Sequence, residues 1–427
     1  MTPLDLTQPS INTQGLSENF LRICNCGGRL CGTDSEKQAI GLLRDLGEAA
    51  TGVSARSERL PYRGWRGLNA SISIPEGPVV SVHPLVRTVP TGSSPLKAEV
   101  LDLGRGAPED FDAVSERIPG RIVMVRHEHM FAPDTIHRRV KYNRAVTEGA
   151  AGFLIVGPVS GSLVSGSTGR EPDGVGIPAV GISPEIADMI RQQPSPAIAE
   201  LSIETREYDA ETENLFFDIP GETDEWIVLT AHIDGHDLAE SAMDNGTGLA
   251  TALAAAEALA PELARRPARR GLRLAFHSLE EWALNGSAIS LARMDEQERD
   301  KIAACINIDS VGFDPALAAL TSDFPGLGDF LKTRAAALGI PLRIHEPLQS
   351  NSDHANFAKH GIPAFRLVAG FGTGGGPAAD LLTSRDTRDR IDMSLLSASA
   401  TLVASIAHGM LHADCDLKAE LSGATVI

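Results

Sequence analysis

The stretch Trp226-Ile-Val-Leu-Thr-Ala-His-Ile-Asp234 decides the fold. Residues 226–231 carry no charge and read as a strand buried on both faces of a sheet. The run ends on a histidine and an aspartate. Outward from it, strands and helices alternate. Helices are expected over 247–260, 326–338 (stopped by Gly339), 353–360 (Ser352 as N-cap, Gly361 as stop) and 394–408. Strands are expected over 272–276, 304–308 and 364–368. This alternation predicts an α/β fold: a mostly parallel central sheet with helices on both faces.

Upstream the pattern differs. Residues 33–51 read as a helix with a Thr33/Glu36 capping box, an apolar face of Ile40, Leu42, Leu43 and Leu46, and Gly52 as stop. Residues 68–74 alternate like a half-buried strand. Pro75, Gly77, Pro78, Pro84 and Pro90 then break the pattern. Residues 80–205 read as a small β-rich unit, with strands over 121–125, 151–156 and 177–182 and helices over 142–148 and 185–192. The expected domains are 1–78, the amino-terminal part of a catalytic domain; 79–205, an insertion; and 206–427, the rest of the catalytic domain. His127-Glu-His129 is expected in a solvated loop, and Gly374-Gly375-Gly376 in a flexible one.

The chain has 427 residues and a net charge of -18, from 38 Lys+Arg against 56 Asp+Glu. That surplus of acid argues against a nucleic-acid or anionic-membrane partner, which surplus Lys and Arg would have to hold. With three Trp, three Tyr and thirteen Phe, the core must be filled by Ala, Leu, Ile and Val. The apolar run over 247–260 carries Glu257 and is expected to stop at Pro261, too short to span a bilayer. The first eight residues show no basic region and no apolar run, and the cysteines are five, an odd number. A cytoplasmic chain with reduced thiols, assembled as a homo-oligomer, is the expectation.

The chemistry gathers at strand ends. His232 and Asp234 close the first strand. Asp244 precedes the 247–260 helix, Glu280 and Glu281 follow the second strand, Asp309 closes the third, and His354 opens a helix. Ligands of open α/β sheets bind outside the carboxyl ends of the strands, so these side chains should share one crevice. Mixed His and carboxylate donors suit Zn²⁺, Mn²⁺ or Co²⁺. Two ions about 3.5–4 Å apart would use all the donors. Asp244 would bridge them, with His232 and Asp309 on one and Glu281 and His354 on the other. Asp234 is placed to orient the His232 imidazole, and Glu280 to act as general base. For a substrate carboxylate, Arg366 and His345 are the candidates.

These segments resemble the dizinc aminopeptidase family, the bacterial leucyl aminopeptidase-like metallopeptidases. The matching segments are His232-Ile-Asp234, Asp244-Asn-Gly-Thr-Gly248, Glu280-Glu-Trp-Ala-Leu-Asn-Gly-Ser287, Asn307-Ile-Asp-Ser-Val-Gly312 and Ser352-Asp-His-Ala-Asn-Phe357. Residues 80–205 resemble the protease-associated domain inserted in many members, through Gly120-Arg-Ile-Val-Met-Val, Gly149-Ala-Ala-Gly and Gly176-Ile-Pro-Ala-Val-Gly-Ile. The resemblance implies a phosphorylase/hydrolase-like fold, one or two divalent metal ions per subunit and hydrolysis of a C–N bond in a small-molecule substrate. Two departures stand out. Ala283 occupies the glycine position of the Glu-Glu motif, and no tyrosine follows Tyr208. The whole chain is also similar to a cytoplasmic member that hydrolytically deaminates 5-nitroanthranilate to 5-nitrosalicylate. That reaction is the first expectation. A cytoplasmic aminopeptidase or dipeptidase is the second, and a non-catalytic receptor-like module the third.

Overall fold

The computed structural model describes residues 9–132 and 134–423; the reading of the first eight residues lies outside them. The chain divides into two compact units. One contains the chain up to Leu60, Glu211–Phe371 and Thr387 onward; the other contains Pro61–Ala210 and Gly372–Asp386.

In the first unit, strand Trp226–His232 pairs in parallel with Gly271–His277 on one side and Ile302–Ile308 on the other. Ile302–Ile308 in turn pairs in parallel with Ala364–Ala369. These four strands are the predicted ones, each a residue or two longer. The sheet edges add what the sequence reading did not place. The end of Ile198–Ile219 pairs antiparallel with Gly271–His277, Leu317–Leu320 antiparallel with Ala364–Ala369, and Arg343–His345 lies outermost. The central strands are buried along their length. Leu229, Leu274, Ile306 and Phe365 are fully enclosed, each contributing about 1.5–3 kcal/mol through burial. On one face, Leu291 of helix Asn285–Arg293 and Phe357 of helix His354–Lys359 pack on Val228, Ala275 and Cys305. Helices Thr247–Arg265 and Met393–His412 pack on the other strand-facing side of the core.

Two helices depart from expectation. The helix from Thr247 does not stop at Pro261 but runs to Arg265. An internal proline costs about 3 kcal/mol; Leu259 and Leu263, both buried on either side of it, offset that cost. Helix Met393–His412, and not residues 247–260, is long and apolar enough to cross a membrane by length and composition. Of its most apolar window, 72% is buried inside the protein, as in a core helix. Helix Asp34–Thr51 begins as expected, with the Thr33 hydroxyl accepting from Glu36 N and Gly52 left-handed at the end. Glu36 does not close the capping box. Its carboxylate accepts from Gly32 N at 2.6 Å and from the Thr212 hydroxyl at 2.6 Å.

The second unit has its own parallel sheet, in the order Leu96–Asp102, Ile122–Arg126, Gly152–Val156, Ala179–Ile182. Both faces are covered. Met124, Leu154 and Val180 point to one apolar cluster, and Val123, Val125, Phe153 and Ile155 to another. The segment Gly372–Asp386, which carries Gly374-Gly375-Gly376, belongs here. Leu382 O accepts from Ser165 N at 2.7 Å, and Thr383 bridges Val164. His127 is buried, not solvated.

Candidate metal centre

Strand order places the site. From Trp226–His232 the chain moves to Gly271–His277 on one side, then returns to Ile302–Ile308 on the other. At such a switch point the connections diverge and leave a crevice beyond the strand ends. His232 ends the central strand, Asp309 follows Ile308, and Asp244 lies in the turn Ala242–Gly246 before the Thr247 helix.

These three converge. His232 Nε2 is 3.1 Å from Asp244 Oδ1 and 3.6 Å from Asp309 Oδ1. Their ligand atoms lie within 4.8 Å of one another. Two donors held tetrahedrally at about 2.0–2.1 Å from one ion are about 3.3 Å apart, so the spacing fits a single divalent metal. The imidazole is turned correctly for it. His232 Nδ1 donates to the Asp234 backbone carbonyl at 2.9 Å, which leaves the Nε2 lone pair facing the two carboxylates. The Asp234 carboxylate, expected to hold that imidazole, stands 3.9 Å off. It accepts instead from Glu280 N and Glu281 N, each at 3.0 Å, and from the Cys31 thiol at 3.3 Å. Asp234 therefore positions the Glu280–Glu281 backbone.

The rest of the frame explains the motif spacing. Asn245 Nδ2 donates to Ile308 O at 2.9 Å, while its Oδ1 accepts from Gly248 N and Ser310 N. One amide thus ties the Asp244 turn to the Asp309 turn. A Cβ at position 248 would lie 2.4 Å from Ile308 O and 2.2 Å from that same Oδ1, so only glycine fits. Ala283 sits at φ 68°, a conformation that costs a non-glycine residue about 1–2 kcal/mol. Ser352 is not the N-cap of the His354 helix. Its hydroxyl donates to Asp309 Oδ2 at 2.6 Å and accepts from Asn307 Nδ2 at 2.7 Å.

The structure sets Glu281 and His354 outside the close trio. Glu281 nevertheless feels the Asp244 charge. Burial first, then that charge, raises its carboxyl to about 7. His354 is fully buried beside Arg366 and Asp309. Neither ring nitrogen has a hydrogen-bond partner, and burial followed by Arg366 depresses its pKa to about 3, so the ring is neutral. Arg366 ion-pairs with Asp309 at 3.1 Å and donates to Asn351 O at 2.9 Å, so its guanidinium serves a site carboxylate where the sequence reading expected it to bind a substrate carboxylate. His345 ends the outermost strand, 3.1 Å from Gln349 Nε2 and against the Phe371 ring.

Charge makes the case for a cation. Asp234, Asp244, Asp309 and Asp353 are buried, and Glu280 and Glu281 half-buried. Burial pushes Glu280 and Asp234 up and takes Asp353 to about 7, whereas Asp309 is held down by Arg366 against its burial. Carboxyl groups that cling to protons in this way release them to a divalent ion. The sequence reading missed Asp353, whose Oδ1 accepts from the Ser287 hydroxyl at 2.5 Å, and His236, buried near Glu281. Asp353 lies inside the quoted Ser352–Phe357 motif and His236 two residues past the His232–Asp234 motif, and neither had a spacing signal of its own.

Known proteins share the sequence pattern and the fold. Residues 214–407 match Peptidase family M28, and residues 76–190 match the PA domain. Leupeptin-inactivating enzyme 1 of Streptomyces exfoliatus is 30% identical over 158 residues, which span 37% of this chain and 36% of that protein. The match thus covers about a third of that relative's length. Aminopeptidase YwaD of Bacillus subtilis is 24% identical over 81% of this chain and 72% of its own. The solved structure of BSAP, a zinc aminopeptidase from Bacillus subtilis, matches with a TM-score of 0.75 at 21% identity, covering 94% of this chain and 96% of the other. A peptidase M28 precursor from Shewanella amazonensis matches at 0.77 and 20% identity, over 95% and 94%. The chain is thus similar to Peptidase family M28 over residues 214–407 and to the PA domain over residues 76–190, and this similarity supports a metal-dependent hydrolase of C–N bonds.

Proposed function

We propose that His232, Asp244 and Asp309 hold one catalytic divalent ion, that Glu281 and His354 are the residues nearest to serving a second, and that Glu280 is the general base. The observation carrying this reading is the close trio with Glu280 beside it. A bound ion would supply a water acidic enough to yield hydroxide near neutral pH, by lowering its pKa to roughly 7. Glu280, fixed through its own N–H on Asp234, takes the proton and passes it to the leaving nitrogen.

For the substrate we place first a small aromatic amine, a nitro-substituted anthranilate. Water adds to the ring carbon bearing nitrogen. The electron pair moves onto the para nitro group and returns as ammonia leaves, so ArNH₂ and H₂O give ArOH and NH₃. The lack of any tyrosine beyond Tyr208 supports this choice, because the developing charge sits on a distant nitro group and needs no phenol beside the metal. The second reading is an aminopeptidase or dipeptidase, favoured by the activities of the relatives. A receptor-like module is disfavoured by the intact ligand trio and base. We also place the protein in the cytoplasm, on the odd number of its cysteines.

One assay separates the two substrates. With Mn²⁺, Co²⁺ or Zn²⁺ supplied, ammonia release from 5-nitroanthranilate is followed beside cleavage of aminoacyl p-nitroanilides. Ammonia release without anilide cleavage is the expected result; cleavage of the anilides alone overturns the first reading and supports the second.

A further inference from the structure

Far from the catalytic crevice, a second group of donors meets at the other end of the Thr247 helix. Glu262 lies on the last turns of that helix, about 22 Å along its axis from Thr247. It faces His408 and His412, four residues apart on the final turns of helix Met393–His412. Residues at i and i+4 share a helix face, so both imidazoles project toward the same carboxylate. His408 Nε2 is 3.4 Å from Glu262 Oε2, and His412 Nε2 is 3.6 Å from Glu262 Oε1. The ligand atoms of all three residues lie within 4.8 Å of one another, and the two rings are 4.4 Å apart at their centres.

Those spacings are too long for good N–H···O hydrogen bonds. They match donors sharing one tetrahedral ion, for which about 3.3 Å is expected. His408 is an independent pointer. Its side chain is 1% exposed, and neither ring nitrogen has a hydrogen-bond partner. A buried polar group left so costs about 1–3 kcal/mol unless something completes it. The Glu262 side chain is 42% exposed and that of His412 25%, so the group opens to water on one side. That opening is the fourth position of a three-ligand site.

We propose that Glu262, His408 and His412 form a second metal site that takes one Zn²⁺ with a water as fourth ligand. Two imidazoles and a carboxylate select borderline transition ions over Ca²⁺ or Mg²⁺. The ion would staple the carboxyl ends of the two longest apolar helices of this unit. Its task is structural, tying together the ends of two helices that pack on each other.

The test uses the full chain, stripped with chelator and dialysed against Zn²⁺, with bound metal counted and thermal unfolding followed. His408→Asn with His412→Asn should bind one equivalent less than the unsubstituted chain. It should also lose part of the Zn²⁺-dependent rise in Tm, with hydrolytic turnover unchanged. Glu262→Gln, a half-exposed change that spares the core, should weaken the same equivalent roughly a hundredfold. Asp244→Asn should lose the catalytic equivalent and keep this one, which separates failure of this site from failure of the other. If Glu262→Gln and the double variant bind as many equivalents as the unsubstituted chain, with the same rise in Tm, the site does not exist.

Discussion

Each unit has a parallel sheet with a glutamate just past the end of a central strand, and the two glutamates have opposite surroundings. In the PA unit, Glu128 follows strand Ile122–Arg126. It is met by the Lys141 ammonium at 2.9 Å, by the Arg105 guanidinium and by Ile136 N at 2.9 Å. Burial alone would raise its carboxyl, but these partners hold it below its usual value. In the catalytic unit, Glu280 follows strand Gly271–His277 among Glu281, Asp309 and Asp353, and burial together with those charges pushes it up. The PA unit balances its strand-end charge from within. The catalytic unit gathers carboxyl groups that call for a divalent cation. Fold and burial alike would not have told them apart; charge does.

The comparison breaks most visibly at Glu280. Glu280→Gln should lower turnover by about 10²–10⁴-fold and leave the metal content intact. Loss of metal with that change would make Glu280 a ligand and not a base. Arg366 comes next. Replacing it with methionine removes the partner of a buried carboxylate and should cost about 3–5 kcal/mol in the metal-free protein, read by urea unfolding. With metal bound the loss should shrink, because the ion takes over the neutralisation of Asp309. Equal losses in both states would show that the ion does not reach Asp309.

Glu36 sharpens the contrast through pH. Burial raises its carboxyl to about 7 from 4.5, so the folded chain holds that proton more tightly than the unfolded chain. Its contribution is present below about pH 4.5 and is lost as pH rises toward 7, a slope worth on the order of a few kcal/mol. Glu36→Gln should flatten that slope and leave the protein more stable than its parent at pH 8. An unchanged pH profile would mean Glu36 ionises freely in the fold. Glu128 has the opposite sign. Its depressed pKa gives stability above about pH 4.5 that disappears as pH falls. Glu128→Gln should cost about 1–3 kcal/mol at pH 7 and leave turnover within about twofold. A large loss of turnover would tie the PA unit to the chemistry.

The central strands could be read in the sequence because parallel strands buried on both faces are near-continuous apolar runs, as in residues 226–231 and 302–306. The edge strands Leu317–Leu320 and Arg343–His345 are three or four residues long and carry no period of their own. The trio was legible because His232 ends a central strand, Asp309 follows one, and Asp244 stands just before the Thr247 helix. The finer contacts were not, since they depend on which atom of a residue points inward. Asp234 uses its carbonyl on His232 and its carboxylate on the Glu280–Glu281 backbone. Likewise Ser352 looked like a helix cap because that is where serine usually stands, and Asp309 proved the nearer acceptor.

The account stands on one ion at the end of strand Trp226–His232. Anomalous diffraction from crystals soaked in Mn²⁺ or Zn²⁺ should show a peak within about 2.0–2.2 Å of His232 Nε2, Asp244 and Asp309, and Asp244→Asn should abolish it together with turnover. A soaked crystal with no peak between those three side chains, from protein that still turns substrate over, would contradict it.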